Sequence, residues 1–380
     1  MTDRRTADVI VVGAGIVGAA CALALSRSGL STLIVEPGVI GVGTTGAGMG
    51  HVVLMDDSQA QFVLTGYSRM LWDELGGALP ERAARRSTGT LWVAADDHDL
   101  HTAIRRHAFY ESSGVGSRLV SPAEIAQLEP NLRRDLAGGL MVMGDSVVYP
   151  PAAAAWMIER ACASGARVER SAGVASIPAA GRGVELTDGS HAAAGAVVVA
   201  AGSASGGLAR GLPMTPKKGH LVITDRAPGF CSAQIMEIGY ADSAHGDAAE
   251  SVAFNVQPRE TGQVLIGSSR QAGVSDARVD RAIVSTMLER AVWFMPALAS
   301  LQALRVWTGI RPATPDNLPV IGPDPRTPGL YLAFGHEGLG VTTSLGTAAL
   351  IAHHIVGHAP AIDPSPYLPE RFLRGGPTDA

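Results

Sequence analysis

Cysteine is scarce in this chain, and so is charge. The 380 residues hold three cysteines, Cys21, Cys162 and Cys231. An odd and scattered set supplies neither a disulfide framework nor a metal-ligand spacing, which fits a reducing, cytoplasmic compartment and leaves no metal expected. Charged residues make up 17% and the net charge is −5 with no basic block, which argues against nucleic acid as a partner. No run of eighteen uncharged apolar residues occurs, so no membrane span is expected. The first seven residues carry charge rather than an apolar leader core, so no export signal is expected either; peripheral attachment to a membrane stays open. What is abundant is apolar surface and glycine: 46% hydrophobic residues, enough for a large core in two or three domains, and 46 glycines, a composition suited to many close backbone approaches.

The glycines are most telling at residues 8–36. An apolar, β-branched run at 8–12 leads into Gly13-Ala14-Gly15-Ile16-Val17-Gly18 and then a helical pattern, the order strand, tight turn, helix. Gly13 makes the turn, Gly15 lets backbone approach a pyrophosphate, and Gly18 lets the helix lie close on the strand. The helix start turns unpaired N–H groups and the positive end of its dipole toward phosphate. A second strand at 31–35 ends in Glu36, whose carboxylate suits a ribose diol and would repel a 2′-phosphate. The stretch therefore predicts a dinucleotide site.

Downstream, Pro37 stops the strand and residues 38–51 form a glycine-rich loop, GVIGVGTTGAGMGH, expected to be ordered only by something that it wraps. Thr44 and Thr45 offer donors to phosphate or a ring system, and Met49 and His51 are poor choices for a solvated loop. Helices are expected at 59–75 and 96–112, and Ser121-Pro122-Ala123-Glu124 reads as a capping box. Residues 79–145 show no nucleotide signature and read as part of an inserted second domain. A helix at 151–163, strands at 167–171 and 174–177, a hairpin turn at Asp188-Gly189 and a buried strand at 196–201 return the chain to the first domain. Lys217, Lys218 and His220 lie on an entering strand, and residues 252–266 read as two strands on which Asn255 and Gln257 face either a cavity or solvent. A helix is expected at 279–294. Finally a strand at 330–334 runs into Gly335-His336-Glu337-Gly338-Leu339-Gly340, and Val341 starts a helix. This is a second electropositive helix start, some three hundred residues after the first. Two such turns with a glycine loop between them suit one long cofactor whose chemistry occurs at its far end.

On these motifs the chain resembles the flavin-dependent D-amino acid oxidase family, which includes glycine oxidase, sarcosine oxidase and D-hydroxyproline dehydrogenase. The resemblance covers nearly the whole chain and is carried by Gly13 to Gly18 with Glu36, by 44–50, by Ala200-Ala201-Gly202, and by Gly309-Ile310-Arg311-Pro312 with Asp316, Pro319 and Gly322 and the glycine-rich turn after 334. The loop GTTGAGMGH and the following VVLMDD look most like D-hydroxyproline dehydrogenases.

The resemblance implies a fold of α/β plus α+β type: a Rossmann-like FAD-binding domain from 1–78, 146–214 and 304–380, with an inserted, mostly antiparallel-sheet substrate domain from 79–145 and 215–303. It implies FAD, with Gly13, Gly15 and Gly18 at the pyrophosphate, Glu36 at the adenosine ribose and Val174 near the adenine. Thr44, Thr45, Gly48 and Met49 would line the flavin ring, and the N–H groups of Gly338, Leu339, Gly340 and Val341 would meet its pyrimidine edge. Ile16, Val17, Pro37, Gly50, Ala201, Gly202, Arg311, Gly335 and His336 complete the expected cofactor wall. Arg311 would clamp a substrate carboxylate as a bidentate pair so that a hydride leaves Cα for flavin N5, giving an imine. His51, His220 and His336 are candidates for holding the amine or relaying its proton, with Asn255 and Met49 also at the substrate. Two departures matter. Glycine oxidases carry a tyrosine where Asn255 aligns, which disfavours glycine, and no cysteine stands near 311–340, so noncovalent FAD is expected. The implied substrate is a small amino or imino acid, first cis-4-hydroxy-D-proline or D-proline, with oxygen or a quinone as electron acceptor and a homo- or hetero-oligomer left open. The rivals are a glycine- or sarcosine-type amine oxidase, a 2-hydroxy-acid dehydrogenase of the same fold, an NAD-linked enzyme, and a non-catalytic flavin subunit of an electron-transfer complex.

Overall fold

The computed structural model describes residues 5–170, 172–179, 181–209, 211–239 and 249–373. Its first sheet is built on the apolar run that opens the chain. β1 (Thr6–Val12) pairs in parallel with β2 (Thr32–Val35) on one side and with β11 (His191–Val199) on the other. β2 is followed outward by β8 (Arg167–Glu169), and β11 by β18 (Leu330–Phe334) and the antiparallel edge strand β17 (Val320–Pro323). The short strands β9 (Val174–Ser176) and β10 (Val184–Leu186) extend β11 antiparallel around the Asp188-Gly189 turn. Ser171, the expected end of the strand at 167–171, lies outside the described residues.

The second sheet is mostly antiparallel, in the order β16 (Ala303–Ala313), β12 (Thr215–Arg226), β15 (Gln263–Ala272), β14 (Glu250–Pro258), β13 (Gln234–Glu237), β4 (Thr90–Ala94), β6 (Gly138–Val142), β5 (Ser117–Val120). A two-stranded ladder, β3 (His51–Val52) with β7 (Ser146–Val147), bridges the chain segments between the sheets. The boundary expected at 304 corrects itself here. β16 runs along the whole of β12, so the chain leaves the second sheet only after Ala313 and rejoins the first at Val320. A turn-rich Pro312-to-Pro319 segment hid that hand-over, because it reads equally well on either side.

Each sheet is packed on both faces. The helices Ile16–Arg27, Pro150–Ala163 and Gly340–Val356 cover one face of the first sheet with a core that includes Val9, Val11, Trp156, Met157 and Ile351. The first helix lies close because Gly18 has no side chain: a Cβ there would stand 2.0 Å from the Gly13 carbonyl oxygen. In the second sheet, Phe254 and Val256 of β14 face the helix Arg281–Phe294, so by strand alternation Asn255 and Gln257 face the other way, toward the first sheet. The helix Gln59–Gly76 spans the two bodies. Buried Trp72 donates its indole N–H to the carbonyls of Val341 and Thr342, both at 3.1 Å, which fixes the start of the last long helix. No helix among the described residues is long and apolar enough to cross a membrane.

A fully buried polar fastening between the bodies is the side chain of Asp145. Its carboxylate accepts from Leu54 N–H at 3.1 Å, from Arg69 Nη1 at 2.9 Å and from the Thr90 hydroxyl at 2.5 Å. Burial pushes its pKa up, and the Arg69 charge and these donors oppose that. Removing the carboxylate strands three donors at once. Asp145→Ala is expected to cost about 3 to 5 kcal/mol, and Asp145→Asn less, read from the denaturant midpoint; equal midpoints for wild type and Asp145→Ala would refute the assignment.

Candidate active site

A single cavity of about 700 Å³ runs from the first sheet to the second. At one end lie Gly13, Gly15, Ile16, Val17, Glu36, Pro37 and Val174, and at the other Met49, His51, Asn255, Gly219, Arg311 and Glu337. Thr44, Thr45, Gly48, Gly50, Ala201, Gly202, His336, Gly338, Gly340 and Val341 line the middle, so most residues singled out from the sequence meet on one surface. Gly18, Gly335 and Leu339 stand behind the wall. Gly18 and Gly335 act by close backbone packing, since a Cβ on Gly335 would stand 2.6 Å from Thr314.

The geometry fits an elongated dinucleotide. A Cβ on Gly13 would lie 2.6 Å from the Ala200 carbonyl, and the residue holds φ at +100°, which favours glycine. Ala19 is the first residue to find an intrahelical acceptor, on Gly15 at 2.8 Å, so the N–H groups of Val17 and Gly18 precede it at the positive end of the dipole. The Ile16 N–H donates to Thr45 Oγ1 at 3.0 Å. Glu36 accepts from the N–H groups of Ala14 at 2.9 Å and Gly38 at 2.8 Å, and this fixes its carboxylate on the cavity wall.

The glycine loop differs from expectation. Residues 43–47 form a short helix, Gly43–Ala47, held by the protein itself: Thr44 donates its hydroxyl to the Ile310 carbonyl at 2.8 Å, and Trp307 Nε1 donates to the Ala47 carbonyl at 3.3 Å. Gly309 makes room, since a Cβ there would stand 2.6 Å from that of Ala47. The late turn also differs. Glu337 sits at φ +48°, and its carboxylate folds back to accept the Gly338 N–H, while the Leu339 N–H donates to the His336 carbonyl at 2.9 Å. Of the four N–H groups expected at the ring edge, those of Gly338 and Leu339 are thus engaged within the turn. Gly340 and Val341 remain at the start of the helix, ahead of the Thr343-to-Leu339 bond.

At the far end lie two arginines and an acid. Arg311, half-buried on β16, lies over bare backbone: a Cβ on Gly219 would stand 2.4 Å from its Nη1. Its Nη1 donates to the Ser269 carbonyl at 3.0 Å. Buried Arg270 donates Nε to Glu337 at 3.0 Å. Burial alone would raise the Glu337 pKa, but the charges of Arg270 and Arg311 with the Arg270 hydrogen bond outweigh it and bring it to about 2, with Lys217 adding to the pull. Arg270, Arg311 and Lys217 therefore all act on the Glu337 carboxylate. Glu337, Arg270 and Gly219 were missed from the sequence as site residues. The sequence carried Glu337 inside the late glycine motif, where a lone acid among glycines could have been read as a counter-ion.

The three histidines separate. His51 has its Nε2 buried with no hydrogen-bond partner among the described residues, and burial followed by the Arg259 charge pushes its pKa down to about 4. His336 lies on the wall with Nε2 at 3.0 Å from Thr347 Oγ1, and burial pushes it down to about 3. His220 does not reach the cavity, which corrects its expected place at the substrate. Gly219 and Leu221 flank it on the cavity side, so alternation sends His220 to the opposite face of β12, beneath the helix Arg281–Phe294. The described cysteines also stay off the wall, Cys21 and Cys231 being buried elsewhere and Cys162 exposed.

The comparisons with known proteins agree with this architecture. The family model described as FAD dependent oxidoreductase (DAO) matches residues 8–354. Glycine oxidase of Geobacillus kaustophilus (strain HTA426) is 29% identical over 386 residues, covering 98% of each chain. The crystal structure of glycine oxidase from Geobacillus kaustophilus superposes with a TM-score of 0.86 at 28% identity, covering 96% of this chain and 98% of that one. L-proline dehydrogenase from P. horikoshii shares the fold, with a TM-score of 0.88 at 22% identity over 97% of this chain and 98% of that one. A match spanning both sheets and the whole cavity shows that the protein belongs to the DAO family of FAD-dependent oxidoreductases.

Proposed function

We propose that this chain oxidises a small amino or imino acid at the carbon bearing the nitrogen, giving the imine, with cis-4-hydroxy-D-proline or D-proline as the leading substrates. The observation that carries the reading is Arg311 at the inner end of the cavity, seated on Gly219 and braced by the Ser269 carbonyl. Bound FAD supplies the two-electron acceptor. Gly13, Gly15, Ile16 and Val17 would hold its pyrophosphate, Glu36 its ribose, and Gly340 and Val341 would present N–H groups to the ring edge. Noncovalent attachment is supported by the absence of any described cysteine from the wall. The protein's own work is orientation. Arg311 takes the substrate carboxylate by two parallel hydrogen bonds, and this fixes which face and which C–H of the substrate meets the cofactor. Asn255, 1% exposed on the cavity wall and with no partner for its Oδ1 among the described residues, offers an acceptor on the substrate's other side.

His51 favours an amine over an alcohol. A hydroxy acid would need a strong base to remove its hydroxyl proton, and a catalytic base works best with a pKa near the operating pH. At about 4, His51 is far too weak for that, yet its free Nε2 can accept a hydrogen bond from an amine that arrives neutral. The 2-hydroxy-acid reading loses support accordingly.

The test is anaerobic reduction of the bound flavin by D-proline and cis-4-hydroxy-D-proline, followed by its absorbance. Bleaching by either is expected, and none by lactate-type acids; bleaching by no amino or imino acid would leave a non-catalytic flavin subunit as the better reading. Arg311→Ala is expected to weaken apparent substrate binding by about 3 kcal/mol, more than a hundredfold, with Arg311→Lys intermediate because an ammonium cannot make the bidentate pair. Unchanged affinity in Arg311→Ala would remove the clamp.

The histidines give a separate pH test. Folded pKa values of about 4 for His51 and about 3 for His336 lie below the unfolded value of 6.5, so the unfolded chain binds the extra protons first as pH falls. Stability is present in full above about pH 6.5 and is lost toward pH 4, at up to about 1.4 kcal/mol per pH unit for each histidine. Denaturant midpoints at pH 7 and pH 5 should show that fall, and His336→Gln should flatten it. A pH-independent midpoint over this range would mean that neither ring is buried neutral.

A further inference from the structure

We propose that His220, out of reach of the cavity, is a positioning residue for Arg311, acting through Ser269. The inference rests on the carboxylate-clamp reading above and extends it to residues on the reverse face of the sheet.

The ladder between β12 and β15 is regular at Lys217–Ala272 and Lys218–Gln271, and again at Val222–Ile266 and Ile223–Leu265, but it shifts by one residue in between. In the gap, His220 donates its backbone N–H to the side-chain Oγ of Ser269 at 2.9 Å, in place of a backbone carbonyl. The Ser269 carbonyl is thereby available to another donor, and Arg311 Nη1 takes it at 3.0 Å. One hydroxyl substitutes for a peptide oxygen, and the substrate-side guanidinium gains an anchor.

The His220 ring holds that hydroxyl in place. Its Nε2 is 3.0 Å from the backbone N–H of Asp280, which can only donate, so Nε2 carries the lone pair and the proton sits on Nδ1. Nδ1–H then donates to Ser269 Oγ at 2.9 Å. Asp280 is itself fixed, because its carboxylate caps the helix Arg281–Phe294 on the N–H groups of Ala282 at 3.0 Å and Ile283 at 3.3 Å and accepts from Gln271 Nε2 at 3.1 Å. The chain of contacts runs from a capped helix end through a fully buried imidazole and a serine hydroxyl to the carbonyl that seats Arg311. The neutral tautomer it requires suits the ring's surroundings: burial, Lys218 on its own strand and Arg311 on β16 lower the His220 pKa, against the opposing pull of Asp280 and Asp276.

The experiment uses the flavin-loaded enzyme and pyrrole-2-carboxylate, a carboxylate that cannot be oxidised in the same way, with its dissociation constant read from the perturbed flavin spectrum. His220→Leu is expected to weaken binding on the order of tenfold while flavin content and melting temperature stay near wild type. His220→Asn, whose amide N–H can still reach Ser269 Oγ, should recover most of that affinity. Ser269→Ala should match His220→Leu, and the double variant should be no worse than either single one, because both cut the same chain. Wild-type affinity in His220→Leu, additive losses in the double variant, or no recovery in His220→Asn would overturn the proposal. If His220→Leu does not fold, His220→Asn and Ser269→Ala carry the comparison, with Ser269→Ala binding like wild type as the overturning result. A wild-type enzyme that binds no carboxylate at all would instead sink the clamp itself, and the proposal with it.

Discussion

Backbone laid against backbone is the constraint on which this molecule depends. Gly18 brings the first helix onto the Gly13 turn, and Gly309 brings the Gly43–Ala47 helix onto β16. Gly219 brings the Arg311 guanidinium onto β12. In each case a Cβ would stand at 2.6 Å or less from its neighbour, a distance that real side chains do not tolerate. The consequence is a cavity whose two ends belong to different sheets and whose wall is closely packed where those glycines bring neighbours together. An elongated cofactor needs that rigidity, because a small error at the phosphate end is carried along its length to the reacting end.

Much of this was legible from spacing. The strand, turn and helix at the start of the chain repeat near Gly335, and both turns do line one cavity. Asn255 was left open between cavity and solvent, and its neighbours Phe254 and Val256 decide the matter by taking the helix-facing side. His220 was misplaced for the same reason seen from the other side. A histidine next to two lysines invites a functional reading, but parity with Gly219 and Leu221 sends it to the reverse face, and which face holds the cavity is known only once β16 is seen to pair with β12. The loop at 38–51 was read as needing a ligand to order it, because its stabilising partners, Ile310 and Trp307, lie more than two hundred and fifty residues away. No local pattern encodes such contacts.

Phase shifts in strands were the hardest feature to see. Gly267 abuts Met49 on the cavity side of β15, and three residues later Arg270 reaches Glu337 on that same side. An unbroken strand would place residues an even number apart on one face. The register slip between Lys218 and Val222 supplies the odd step, and the glycines that flank it, Gly219 and Gly267, are its only local sign in the sequence. Without it Arg270 would point at the helix Arg281–Phe294, and Glu337 would lose the partner that keeps it ionised.

That same slip also sets how the two arginines are held. An arginine beside a buried carboxylate would ordinarily be neutralised by it, leaving little attraction for a substrate. Here Glu337 is engaged by Arg270 Nε and by its own neighbour's N–H, so its charge is shared among several donors. Arg311 meanwhile is braced by a neutral oxygen, the Ser269 carbonyl, which orients it. The strand irregularity is what turns that carbonyl out of the ladder and toward the guanidinium. Arg270, which holds the acid, and Ser269, whose carbonyl aims the other guanidinium, are thus neighbours at the slipped register, and one irregularity places both.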